Sequence, residues 1–569
     1  MSRIKSLPPQ MVAQIAAGEV VDRPAYAIKE LVENALDASA TQIAVHLQNA
    51  GIDRIVVTDN GTGMTREELE QSYRPHTTSK IETIEELQTL QTFGFRGEAL
   101  SSIASVSLLT LKSRTADSVS GNQVVVQGGE QTSVSKAGMP RGTSVIVEDL
   151  FAKLPVRKTF LKRPAIELRL VIEVVTQLAM VHPAVSFRLT NNEEIILNLP
   201  VQTAQERLHQ LLGSYSAAAL LPVDAEVPYG RLSGYIGKPL SRGGNGKQYL
   251  FINNRPVFHE QLARTVKDAY GTLLEARNTP LFALFLTIPG AHLDINIHPR
   301  KQQVSLYNES DVLRHVQRAI FAVLTEHNLI AVTPDTELEM LRDGATSSYG
   351  AQVIRERVPL IGVDDLSLLE PETTITQIHN LYLLVETPRG LLMLDQHAAH
   401  ERVMYEKYLN AFEKEREKHE RFELPEPVLL ELSVEDVQIV KEHDVNLDEL
   451  DFTVEVLDQK QVLIREVPMV FQDRNVEMLL LELISDLGEG ADGNIRGTLR
   501  SRIDSLTRRM LFFLACRSAI KAGDPLTQEQ ARTLVRELAK TKTPYVCPHG
   551  RPTQIELSLR DLERMFHRV

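Results

Sequence analysis

Three short segments in a fixed order constrain the fold of this chain more than its composition does: KELVENALDA from Lys29, VVTDNGTGM from Val56 and TFGFRGEALSSIAS from Thr92. Glu30 and Asn34 are four residues apart, which puts both side chains on one face of a helix. A carboxylate there can poise a water as a general base, while an amide oxygen suits a hard cation such as Mg²⁺ that carries triphosphate oxygens. In the second segment a strand ends at Asp59, and Gly61 and Gly63 then let the backbone approach a planar ligand closely. Asp59 is placed to accept a hydrogen bond from an adenine amino group. In the third, Gly94 and Gly97 precede an apolar helical pattern, whose free N–H groups can bind phosphate oxygens. HTTSK, His76 to Lys80, adds the Thr78 hydroxyl and the Lys80 cation to the same lid.

Each piece alone has a plainer explanation. A lone DNGTG is a turn, and a Glu/Asn pair on a helix is ordinary surface. The signal lies in the ordered set, completed by Gly142 and Thr143. A Walker P-loop is excluded, since GxxxxGK[ST] is absent.

At 569 residues the chain exceeds one ordinary core, so two or three domains are expected. No apolar stretch is long enough to cross a bilayer, and MSRIKSLPPQ is followed by no apolar h-region. Two cysteines, Cys516 and Cys547, are too few for a disulfide framework and point to a reducing, cytoplasmic setting. The net charge of -13 taken over the whole chain is a weak argument against nucleic acid as a partner, because phosphate contacts need Lys and Arg. RKTFLKR (Arg157 to Arg163) and RGTLRSRIDSLTRR (Arg496 to Arg509) can still form local positive patches, although each alone is more simply a solvated helix face.

The first two hundred or so residues mix helical periodicity (AIKELVENALDASA) with strand-like runs (DRIVVTD, GTSVIVEDLF), an α/β layer pattern. A second α/β block carries QYLFINNRPV and PLFALFLTIP, then a helix over Asp311 to His327. The stretch from Ala331 to about Glu372 is poor in apolar clusters and is expected to be a linker. QIHNLYLLVETPRGLLMLDQHA predicts two strands, a turn at Pro388 to Gly390 and a helix, while the charged run Phe412 to Phe422 predicts a solvated helix. The domain boundaries expected are 1–215, 216–331, a linker over 332–372, and 373–569.

The N-terminal motif set resembles the ATP-binding fold shared by gyrase, Hsp90 chaperones, histidine kinases and MutL. QIAAGEVVDRPAYAIKELVENALDASAT, GFRGEALSSIASVS and DLFAKLPVRKTFLK are similar to the MutL family nearly end to end. The resemblance implies Glu30 as hydrolytic base, Asn34 as Mg²⁺ ligand, Asp59 as adenine contact, and Arg96, Gly97 and Leu100 in the phosphate lid. NIHPRKQQVSL is similar to the family motif N-V-H-P-x-K-x-E-V-R-F and implies that Lys301 reaches over to the γ-phosphate. The family Glu, Arg and Phe are here Gln303, Ser305 and Leu306. The fold class implied is multi-domain α/β and α+β: a gyrase/Hsp90-type ATPase sandwich, an α/β transducer domain, and an α/β C-terminal dimerisation and endonuclease domain.

Metal chemistry is concentrated near the other end of the chain. DQHAAHERVMYE sets Asp395 at a helix start with His397 and Glu401 four apart on one face. CPHGRP supplies Cys547 and His549, and ACRSAIKAGD supplies Cys516. Such a donor set suits Zn²⁺ or Mn²⁺. These segments resemble the endonuclease-competent branch of MutL, whose signature D-Q-H-A-x-x-E-x-x-x-x-E is met at every fixed position, with a terminal F-x-R at Phe566 and Arg568. By that resemblance Asp395, His397, Glu401, Cys516, Cys547 and His549 form a site for about two metals, which nicks duplex DNA. Glu406 lies a further helical step away, in reach of an orienting role. The competing reading, from a different class, is a non-enzymatic ATP-switched matchmaker whose zinc is structural. Carboxylates beyond a closed tetrahedral set favour catalysis over it. The partners implied are a second copy of the chain, double-stranded DNA, a MutS-type mismatch sensor, a sliding clamp and a helicase. The stretch corresponding to the family's Gln-containing clamp motif, RFELPEPVLLEL, has no Gln.

Overall fold

The computed structural model describes residues 21–75, 77, 97–152, 154–213, 220–238, 247–274, 279–294, 304–327, 375–388, 390–416, 421–449, 451–471, 476–489, 511, 515, 518–521, 523–547 and 551–566. They divide into two compact units, one from Met1–Thr333 with Leu429–His443 and Glu455–Leu463, the other from Pro334–Val428, Asp444–Val454 and Ile464–Val569.

In the first unit, helix α1 (Pro24–Asp37) opens the described chain with proline in its first turn, where a missing N–H costs nothing. Strands β1 (Gln42–Gln48), β2 (Arg54–Asp59), β3 (Leu108–Arg114), β4 (Gly121–Gln127), β5 (Glu130–Ala137), β6 (Gly142–Glu148), β7 (Ser186–Asn191) and β8 (Glu194–Leu199) form one sheet in the order β5-β4-β3-β6-β2-β1-β7-β8. Only β1 with β7 is parallel. Alternate residues Ile43, Val45 and Leu47 of β1 are buried, and they share a core with Ile28, Leu31 and Val32 of α1. Two further helices, α2 (Ala99–Val106) and α3 (Pro164–Val181), contribute Ile103, Val171, Ile172 and Val175 to it. The result is a two-layer sandwich in which period-2 strands meet period-3.6 helices.

A second sheet of the same unit runs β12-β11-β13-β10-β9, from β9 (Leu220–Val227), β10 (Gly230–Gly237), β11 (Gln248–Ile252), β12 (Arg255–Pro256) and β13 (Phe282–Thr287). Helices α4 (Glu260–Tyr270) and α5 (Glu309–Glu326) pack with it. The helix expected over Asp311 to His327 starts two residues earlier, after Asn308 in a left-handed conformation. Four consecutive residues of β11 are buried, because the strand has two dry faces. Tyr249 and Phe251 belong to the sandwich core, whereas Leu250 and Ile252 belong to the core under α4 and α5. Ala283 and Phe282 of β13 divide in the same way.

The second unit holds a sheet of β14 (Ile375–Ile378), β15 (Tyr382–Thr387), β16 (Gly390–Asp395) and β17 (Gln554–Ser558), antiparallel throughout and in that order. The expected hairpin and following helix are present. The structure adds β14, joined to β15 through His379 and Asn380, both at positive φ, the mirror-turn conformation that matches strand twist. Helices α6 (Gln396–Arg416) and α7 (Gln528–Ala539) cover one face, where Leu383, Val385, Leu392, Leu394, Ala399, Leu534 and Val535 are buried together. The helix expected through Phe422 is described as far as Arg416, and the chain is already extended over Arg421–Glu431. Pro425 and Pro427 lack an N–H and bias the residues before them to extended backbone, which overrides the charged run's helical pattern.

Because Phe251 fills one core while its neighbours fill another, Phe251→Ala is expected to lower the unfolding free energy by about 3–5 kcal/mol. Urea denaturation of the full chain measures this, and an unchanged midpoint would contradict the shared-strand packing.

Candidate nucleotide site and candidate metal centre

Helix α1 buries Ile28, Leu31, Val32 and Ala35 in the sandwich core and leaves Glu30 and Asn34 half-buried on another face. That is the shared face expected from their spacing. Lys29 Nζ lies 2.7 Å from Glu33 Oε1 and 3.7 Å from Glu30 Oε1.

Just past α1, the DNGTG turn folds back on the helix end: the Thr62 N–H donates to the Ala38 carbonyl at 3.0 Å. A side chain at Gly61 would run into that same Ala38 carbonyl, and one at Gly63, whose φ is +72°, would strike the Arg114 carbonyl. Asp59 ends β2 with its Oδ1 accepting from the Gly61 N–H at 2.8 Å and the Thr143 N–H at 3.2 Å. Burial pushes its carboxyl up from the usual range, and the two N–H donors pull it back. Thr143 Oγ1 sits 2.9 Å from Ser113 Oγ, which also accepts from the Met64 N–H at 2.8 Å. Arg141 Nε donates to the Gly61 carbonyl at 3.1 Å. Asp59, Gly61 and Thr143 therefore form one bonded cluster, and Gly63 lies beside it through its neighbour Met64. Ser113, Arg141 and Ala38, which the sequence reading missed, hold it together.

Of the lid residues, Gly97 (φ +61°) approaches the Thr77 backbone closely enough to exclude a Cβ. Thr77 of HTTSK and Gly97 of GFRGEAL thus meet. Helix α2 makes its first described internal bond from the Ser102 N–H to the Glu98 carbonyl at 2.9 Å, so the N–H groups of Ala99, Leu100 and Ser101 precede the ladder. The Leu100 side chain packs against the core, which leaves its backbone as the part suited to an anion. Thr78, Lys80, Gly94, Arg96 and Lys301 lie outside the described residues.

In the second unit, Asp395 ends β16 and caps α6, its Oδ1 accepting the Ala398 N–H at 2.9 Å. His397 Nδ1 is 2.8 Å from the Ile520 carbonyl, which can only accept, so Nδ1 carries a proton. Nε2 then faces Glu401 Oε1 at 3.2 Å. Two acceptors at that separation need a proton or a cation between them. The hydrogen bond to Glu401 pushes His397 up to about 9, against the opposing effect of burial, and the Ile520 carbonyl adds to the rise. Ligands of one first-row metal, bonded at about 2.0–2.2 Å, stand roughly 3 Å apart, so the pair fits a shared ion as well as a shared proton.

The same helix gathers the two distant motifs. His400 Nδ1 accepts the Ile520 N–H at 2.8 Å, and Tyr408 Oη lies 2.8 Å from Ser518 Oγ, which fixes ACRSAIKAGD against α6. Arg402 Nε donates to the Val546 carbonyl at 2.6 Å, next to the buried, free Cys547. Glu406 accepts from the N–H groups of Lys542 and Thr543 at 2.7 and 3.3 Å, so it anchors the chain that leads into CPHGRP. The Asp395 N–H donates to the Thr553 carbonyl at 3.0 Å just beyond that motif. Among the described residues no three His, Cys, Asp or Glu side chains are grouped to hold a metal ion, and Cys516 and His549 lie outside them. No helix among the described residues is long and apolar enough to cross a membrane.

Comparison with known proteins divides the chain in the same order. A family model described as histidine kinase-, DNA gyrase B-, and HSP90-like ATPase matches residues 23–140. One described as DNA mismatch repair protein, C-terminal domain, matches 208–325, and one described as MutL C terminal dimerisation domain matches 375–526. The DNA mismatch repair protein MutL of Methanoculleus marisnigri is 36% identical over 600 residues, covering 100% of both chains. Those of Desulforudis audaxviator and Chlorobium chlorochromatii are 34% and 32% identical, again over 100% of both chains. An ATPase domain of the gyrase and HSP90 type, a mismatch-repair domain and a dimerisation domain follow one another, matched by relatives along the entire length, and the chain belongs to the MutL family of DNA mismatch repair proteins.

Proposed function

We propose that this protein is an ATP-operated clamp that couples mismatch recognition to later repair and nicks duplex DNA with metal ions held in its C-terminal unit. ATP with Mg²⁺ binds across α1, the DNGTG turn and the start of α2. Glu30 poises the attacking water, Asn34 holds Mg²⁺, and Asp59 meets the adenine amino group with the acceptor capacity its two backbone donors leave. Gly61, Gly63 and Thr143 line the base. Thr78, Lys80, Arg96, Gly97 and Leu100 belong to the phosphate lid, and Lys301 reaches the γ-phosphate from the second sheet's domain. The functional division is an ATPase domain over 1–215, a transducer over 216–331, a linker over 332–372 and a C-terminal domain over 373–569.

The observation that carries the nuclease reading is the pinned His397 facing Glu401, on the helix to which ACRSAIKAGD and the residue just before CPHGRP are both tied. Asp395, His397, Glu401, Cys516, Cys547 and His549 are the donors for Zn²⁺ or Mn²⁺ there. Bound ions would supply an activated water and charge stabilisation at the displaced oxygen. The Ile520 carbonyl orients the His397 ring, and Glu406 holds the CPHGRP approach in place. A second copy of the chain binds through the sheet face opposite α6 and α7, where Ile555, Met393 and Leu384 are aligned across three strands and Tyr382 and Ile555 are exposed. The description of the family model over 375–526 as a dimerisation domain supports that assignment. DNA and a MutS-type sensor are the remaining partners, with a sliding clamp and a helicase downstream, in a cytoplasmic, nucleoid-associated setting.

Glu30→Ala is expected to reduce phosphate release from ATP by about 10²–10⁴-fold while a fluorescent ATP analogue still binds. Hydrolysis at the wild-type rate would remove Glu30 from its role. Supercoiled plasmid incubated with Mn²⁺ should be relaxed by the wild-type protein and left intact by Asp395→Asn. If both leave it intact, the matchmaker with a structural zinc is the better reading. Ile555→Asp is expected to shift the protein from dimer to monomer in sedimentation at micromolar concentration, and an unchanged dimer would place the contact elsewhere.

A further inference from the structure

We infer that the helix Val434–Glu442, which belongs by sequence to the C-terminal region, is a brace for the ATPase sandwich: it docks on α3 and the start of β11, and ATP hydrolysis in the first unit depends on it. The inference rests on the assignment of Glu30 and Asn34 to the nucleotide made above, because the brace acts on that face of α1 through α3.

Residues 429–443 fall inside the stretch matched by the dimerisation-domain model, yet they pack as part of the first unit. The C-terminal region therefore contributes a helix to the body that carries the nucleotide motifs. Its N-cap is Ser433, whose Oγ accepts the Asp436 N–H at 3.2 Å. Val434 follows, 5% exposed, in one core with Ile28 and Leu31 of α1 and Ile172 and Val175 of α3. Just ahead of the cap, the Leu432 backbone lies against Gly213, which ends the helix Ala204–Leu212 with φ of +81°. A Cβ on Gly213 would come within 3.0 Å of the Leu432 carbonyl carbon, so two backbones meet there with no side chain between them.

Charge fixes both ends of the docked helix. At its start, Lys247 Nζ lies 2.5 Å from Glu435 Oε2 and donates to Ser433 Oγ at 3.1 Å. Lys247 stands two residues before Tyr249, whose Oη donates to Glu173 Oε2 of α3 at 3.3 Å. Burial pushes the Glu173 carboxyl up to about 7, with Glu435 adding to the rise and Lys247 opposing it. At the far end, Glu442 Oε1 lies 3.6 Å from Arg169 Nε of α3, and Lys441 Nζ lies 2.7 Å from Glu194 Oε1 of β8. Arg169 is buried, and a guanidinium kept from water is costly unless an acid meets it. Glu442 supplies one. Without the helix, Arg169 and Lys247 would each lose a carboxylate, and the sandwich core would lose Val434. Helix α3 packs against α1 in turn, so support for the Glu30 and Asn34 face comes in part from the C-terminal region.

The test reads docking and hydrolysis separately, in the full chain. Glu194→Cys with Lys441→Cys should be joined within one chain by a short bis-maleimide. Lys247→Glu sets a second carboxylate against that of Glu435, and is expected to abolish that link and to lower kcat for ATP hydrolysis by about 5-fold or more, with KM within about 2-fold. Glu435→Lys, which leaves the N-terminal sequence untouched, should do the same. Lys247→Glu combined with Glu435→Lys should regain the link and bring kcat to within about 2-fold of wild type, a rescue that local damage to the sandwich would not show. Absence of the link in the otherwise wild-type chain overturns the docking. Loss of the link with wild-type kcat overturns the brace, and so does a double variant that regains the link but not the rate. Glu30→Ala, measured alongside, tells the two readings apart. If it hydrolyses ATP normally, the assignment of the base fails while the crosslink still reports on the docked helix.

Discussion

Strand β11 has no wet face, and much of the first unit depends on that. A strand between two cores must be apolar on both sides, and it then fixes the register of whatever it borders. Tyr249 and Phe251 are committed to the sandwich, while Leu250 and Ile252 are committed to the core of α4 and α5. A one-residue slip would exchange these commitments and leave Gln248, exposed at the strand's start, facing a dry core. The nucleotide-type sandwich and the second sheet are in this way a single packed body.

Within that body the site is built chiefly from backbone groups held by a few side chains. Asp59 uses one oxygen to fix two loops, those of Gly61 and Thr143, and Ser113 fixes Met64 and Thr143 in turn. A carboxylate already holding two N–H groups is pre-oriented, so little reorganisation is left for a ligand to impose. The C-terminal unit uses the same device. The peptide of Ile520 is gripped by His397 through its carbonyl and by His400 through its N–H, and two acidic or cationic residues one and two turns on, Arg402 and Glu406, grip the backbone before Cys547.

The sequence was legible where chemistry is local. Helix α1, the end of β2 at Asp59, the hairpin at Pro388 to Gly390 and the cap at Asp395 all follow from periodicity, turn chemistry or capping within a few residues. Where two local signals competed, as between the charged run after Phe412 and the prolines at 425 and 427, periodicity alone placed the helix end too late. Strand Ile375–Ile378 is not apparent in the sequence, because four residues carry too short a pattern to stand apart.

By itself the sequence determined the family, the order of the ATPase, mismatch-repair and dimerisation domains, and the residue types on which the proposed chemistry rests. Only the tertiary structure decided which groups hold those residues: the carbonyls of Ala38, Ile520 and Val546, and the Ser113 hydroxyl. The reason is physical. A carbonyl is present at every position whatever the side chain, so its role as an acceptor depends on where distant segments are packed, and packing is a property of the whole core rather than of any window of sequence.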